Sequence, residues 1–66
     1  MPGSIRELRR MMPPDAYGRV KPQVAKRDWE IVAWDEKMVV LRIERENVKF
    51  DRKGGLILER FKLRKQ

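Results

Sequence analysis

Sixty-six residues hold one domain and leave no room for a second, and Leu, Ile, Val and Phe together fill 17 positions, above the roughly 20% below which a charged chain stays disordered. A thin folded core is expected, without disulfide or metal to reinforce it, because Cys and His are both absent. Charged residues make up 41% of the chain and the net charge is +7, from 17 Lys and Arg against 10 Asp and Glu, a field that draws polyanions and is screened by salt.

In chain order, residues 1–3 read as a loose end. Ser4 stands three places before Glu7, the capping-box spacing in which each side chain satisfies an orphan backbone N–H. A short helix over residues 4–12 follows, with Ile5, Leu8 and Met12 on one stripe and Arg6, Arg9 and Arg10 on the remainder. Pro13-Pro14 should end it, since neither residue has an N–H. Residues 13–27, punctuated by Gly18 and Pro22, read as an extended basic arm with a short edge strand near Val20 to Val24.

Residues 28–66 are dense in β signals. Trp29 to Trp34, Met38 to Arg45, Val48 to Asp51 and Leu56 to about Leu63 are broken by Asp35-Glu36-Lys37, Glu46-Asn47 and Lys53-Gly54-Gly55. The Gly-Gly pair fits a primed hairpin turn. Period-two alternation places Trp29, Ile31, Ala33, Val39, Leu41, Ile43, Val48 and Phe50 on one core face. Val32, Trp34, Met38 and Val40 form a second apolar group on the opposite side, to be covered by the helix through Ile5, Leu8 and Met12, by a second copy of the chain, or by a protein partner. The final segment alternates as a strand, with helix as the alternative. The fold class expected is therefore mainly β, a small α+β domain in which a short N-terminal helix precedes a three- to four-stranded antiparallel meander.

An enzyme is not expected. Without His or Cys the commonest general base, the thiolate nucleophile and the transition-metal ligands are missing together. Asp15 and Asp51-Arg52-Lys53 echo metal nucleases only loosely, and Gly54-Gly55 lacks the Lys-Ser/Thr of a phosphate loop. No cofactor or metal site is predicted. No run of 18 apolar residues exists to span a membrane, and the Arg-rich first 25 residues lack the apolar stretch of a secretory signal. A cytoplasmic protein is the expectation.

The charge is distributed unevenly. Residues 1–27 carry +5, residues 28–48 carry −3 and residues 49–66 carry +5. Uncharged polar residues reduce to Ser4, Gln23, Asn47 and Gln66, with no Thr, a composition typical of heat-resistant proteins; such a bias enriches both signs and does not account for the surplus. On a strand, Arg60, Lys62 and Arg64 lie about 6.7 Å apart along one side and could follow a phosphate backbone, extended by Arg52 and Lys53. Arg19, Lys21, Lys26 and Arg27 in the arm add cations, with Tyr17 available to stack on a base. The competing reading of the stripe is edge-strand protection by Lys and Arg. These residues point to a non-enzymatic domain that binds DNA or RNA through phosphates. The alternative is a small interaction or regulatory module that uses Val32, Trp34, Met38 and Val40 to bind a larger partner or itself.

Overall fold

The computed structural model describes residues 4–62. Ser4 caps helix α1 (Ile5–Met11): its hydroxyl accepts the Glu7 backbone N–H at 3.4 Å. Leu8 is fully buried and Met12, just past the helix, nearly so.

Residues 13–27 depart from the extended arm expected of them. Pro14–Val24 form a second helix, α2, of 11 residues, and there is no edge strand at Val20 to Val24. Pro14 starts a helix here, since the first helical position needs no N–H and suits a fixed φ. Ala16, Val20 and Val24 recur every four residues and are all buried, the spacing of one helix face. Pro22 does lose a bond, to the carbonyl of Gly18 four residues earlier; Gly18 is exposed, so water can serve that carbonyl. Lys26, at φ 60, turns the chain out of the helix.

Four strands follow, β1 (Trp29–Trp34), β2 (Met38–Ile43), β3 (Glu46–Asp51) and β4 (Ile57–Lys62), in an antiparallel meander of order β1-β2-β3-β4. The final segment is a strand, and the domain is a small α+β fold with an N-terminal helical layer. The first hairpin turns on Asp35, whose carboxylate accepts the N–H groups of Lys37 and Met38 at 2.7 and 2.9 Å. The second turns on Glu44-Arg45, not on Glu46-Asn47. That register sets Leu41 opposite Val48 and Val39 opposite Phe50; a turn two residues later would set Leu41 against Arg52. The third hairpin is longer than a two-residue Gly-Gly turn. It runs from Asp51 to Ile57, Asp51 accepting the Gly54 N–H on its carboxylate and the Gly55 N–H on its carbonyl.

Trp29, Val39, Leu41, Ile43, Val48 and Phe50 join Leu8, Met12, Ala16, Val20 and Val24 in one core, with Ile31 packed against it. Both helices thus cover the face read as the core. The second apolar group is not covered by α1; Val32, Met38 and Val40 share the outer face as expected, but Trp34 does not. A bulge between Ile31 and Ala33 inserts Val32, so that Ala33 pairs with Val40 and Trp34 with buried Val39. Ala33 therefore leaves the core face and is exposed. Trp34, on the helix side of the edge strand, remains 55% exposed, and Val32, on the outer side, 49%. Period-two reading loses its phase at such a bulge.

Candidate nucleic-acid interface

Several cations expected on a binding surface are instead consumed by the fold. The Arg52 guanidinium donates to the Met11 carbonyl at 2.6 Å and to the Asp35 carbonyl at 2.6 Å. One side chain thereby satisfies an orphan carbonyl at the end of α1 and ties the helix to the first hairpin. Arg19 donates to the Gly54 carbonyl at 2.8 Å, fastening α2 to the third hairpin. Arg60 is held by Glu46 through two bonds, at 2.8 and 3.1 Å. This pairing raises the Arg60 pKa and holds the Glu46 carboxyl below its usual range, with Arg60 the main cause and Lys62 and Arg27 lesser ones. Arg60 and Lys62 do share the helix side of β4, opposite Val48 and Glu46. Arg64 lies outside the described residues. The expected stripe is thus reduced, within the described residues, to one paired arginine and Lys62. Lys53 is exposed on the third hairpin, away from it.

On the other face of the sheet Arg42 bridges Glu30 at 2.8 Å and Asp28 at 3.4 Å, and Lys49 approaches Glu59 at 3.8 Å. All four ion pairs among the described residues fall between residues 28 and 60. None involves the helical layer.

The layers differ accordingly. Residues 28–62, which build the sheet, carry eight cations and eight carboxylates. Residues 4–27, which build the helices, carry seven cations against Glu7 and Asp15 alone. Over residues 28–62 the acidic middle and the basic residues that follow it cancel once they pair strand to strand, Arg64 and Lys65 lying outside the described residues, whereas no ion pair among the described residues offsets the cations of the two helices. Arg6, Arg9 and Arg10 crowd one side of α1 around exposed Ile5. Arg9 also lines a depression of about 450 Å³ with Met12, Pro14, Tyr17 and Lys21, which joins the two helices into one basic surface. The Arg9 guanidinium lies 5.8 Å from the Tyr17 ring centroid, a cation–π distance that fixes its direction. Half-buried Tyr17 thus already has a guanidinium over its ring.

Of the arm residues, Lys21 belongs to this surface; Lys26 and Arg27 lie exposed beyond the end of α2, Arg27 near Glu46 and Lys62. Arg6, Arg9 and Arg10 did not stand out in the sequence, where they read as the solvated side of a short helix. The signal was present in their placement opposite Leu8 and Met12, but it acquires meaning only when α2 brings Lys21 alongside. Among the described residues no three carboxylates gather to hold a metal ion, and no helix is long and apolar enough to cross a membrane. No protein-family model, curated protein or solved structure matches the chain.

Proposed function

We propose that the protein is a non-enzymatic nucleic-acid-binding domain that grips the phosphate backbone with its helical layer, through Arg6, Arg9, Arg10 and Lys21. The observation that carries this reading is the division of charge by layer: five cations against two carboxylates on the two helices, eight against eight over residues 28–62, with every ion pair among the described residues outside the helices. A charge surplus kept on one face and left unpaired is what counterion release from a polyanion requires. Arginine suits phosphate because its planar fork donates two parallel bonds. Direct base reading has few tools, since Asn, Gln, Ser and Thr number four in the whole chain. Tyr17 serves in this reading to aim Arg9.

Fluorescence anisotropy with labelled duplex DNA, single-stranded DNA and an RNA hairpin at about 50 mM salt tests it; if these four side chains engage about four phosphates on duplex DNA, log K falls with log salt at a slope near −3.6. Absence of binding to all three nucleic acids overturns the reading.

A further inference from the structure

Strand β4 is exposed along its whole length, on both faces, although a strand is ordinarily stabilised by burying at least one. The helices cover β1 to β3 and stop short of it. Between α2 and β4 remains a shallow apolar groove of about 240 Å³, lined by Arg19, Gln23, Phe50, Gly55, Leu56 and Ile57. A bulge between Lys49 and Phe50 makes Leu58 the extra residue of β4. Glu59 and Phe61 then pair with Lys49 and Asn47 on the outer face, whereas Ile57, Arg60 and Lys62 pair with Phe50, Val48 and Glu46 on the helix side. Leu58, next to Glu59, is 57% exposed and Phe61 46%; Leu56 and Ile57 are exposed as well.

We propose that the open edge of β4 accepts an extended acidic strand from another protein, one that alternates carboxylates on the helix side with apolar side chains on the outer side. Strand addition of this kind takes its affinity from backbone hydrogen bonds and its selectivity from alternate side chains. Charge fixes the partner's chemistry. Around the helix-side face of β4 stand Arg27, Arg45 and Lys62 against Glu44, while Arg60 is paired with Glu46 and Arg19 holds the Gly54 carbonyl. Directly opposed side chains in an antiparallel pair share a face, and like charges placed opposite one another are destabilising. Pairing β4 with β4 of a second copy brings no carboxylate to that face, which holds Ile57, Arg60 and Lys62. Pairing it with β1 brings none either, since β1 presents Trp29, Ile31 and Trp34 there. The cations thus reject this chain's own strands and admit an anionic one. Protection of a free edge accounts for Lys and Arg at such a place, but not for four uncovered apolar side chains beside them.

The test uses a fluorescein-labelled octapeptide alternating Glu and Val, one of the same composition with the four Glu and four Val in separate blocks, and one with Lys replacing Glu. Anisotropy should show at least tenfold tighter binding of the alternating Glu peptide than of either control. Amide chemical-shift changes should centre on residues 57–62. Leu58→Asp, an exposed position, should weaken peptide binding at least tenfold and leave duplex DNA binding unchanged, with Phe61→Ser as a second variant acting alike. Equal binding of the blocked peptide, shift changes confined to the Arg6 to Lys21 surface, or sedimentation showing a self-dimer that Leu58→Asp dissolves would each overturn the proposal.

Discussion

Arg52 shows how far a residue's charge can mislead when its neighbours are unknown. In the sequence it extends a cationic stripe; in the fold its two bonds to the Met11 and Asp35 carbonyls join α1 to the first hairpin. Arg52→Ala should therefore lower unfolding stability by about 1–3 kcal/mol, as expected when carbonyls lose a charged donor, with the denaturant midpoint falling at constant slope while the salt dependence of nucleic-acid binding stays as it was. A changed salt slope without a stability loss would return Arg52 to the binding surface. Two carboxylates carry a pH dependence. Asp35 is held below the ordinary carboxylate range chiefly by the Lys37 and Met38 N–H groups, and Glu46 chiefly by Arg60. In each case the unfolded chain binds a proton more readily than the folded one. Their contributions are complete above the ordinary carboxylate pKa of about 4 and disappear as pH falls through the depressed folded values. Urea unfolding of a double Asp35→Asn, Glu46→Gln variant across that range should show a shallower acid loss of stability than the parent; identical slopes would contradict this assignment.

At the scale of elements, what was legible depended on whether local signals agreed. For α1 the cap, the stripe and the following prolines pointed one way. The meander likewise announced itself through alternation and turn residues, and the buried positions of β2 and β3 follow from period two. The helix α2 was hidden because Gly18 and Pro22 oppose the periodicity of Ala16, Val20 and Val24, and burial of those three side chains outweighs two poor helix formers. The helix pays locally for both, which makes it improvable. A Cβ at Gly18 would meet nothing within 4 Å, so Gly18→Ala should raise stability by about 0.5–1 kcal/mol, read as a higher urea midpoint; a loss would mean that this backbone is not helical. Gly55 behaves oppositely. It sits at φ +70 with its Cα side against the Ala16 backbone, where a Cβ would collide, so Gly55→Ala should cost more than about 1 kcal/mol and loosen the third hairpin from α2. The bulges at Val32 and Leu58 left no mark in the alternation, and the first of them is what moved Trp34 to the helix side, away from Val32, Met38 and Val40.

For the whole molecule, the order basic, acidic, basic along the chain becomes a charged helical layer on a sheet whose charges balance over residues 28–62. Strand pairing brings Arg42 to Asp28 and Glu30, and Arg60 to Glu46; no pattern in the linear sequence specifies which anion each cation will meet. The helical surplus was only half visible, because Arg6, Arg9 and Arg10 gain a neighbour in Lys21 through α2, an element that the sequence disguised. The division by layer makes location, not amount, the deciding variable. Replacing Arg6, Arg10 and Lys21 by Gln, or Lys37, Arg45 and Lys53 by Gln, removes three positive charges in either case. If net charge alone attracts the polyanion, the two triple variants should weaken binding alike. If phosphates rest on the helices, the first should flatten the duplex-DNA salt slope by up to about 2.7, near 0.9 for each phosphate contact removed. The second should leave that slope nearly unchanged, since at physiological salt a charge more than about 8 Å from the contact is largely screened. Equal slopes for the two variants would move the interface off the helical layer.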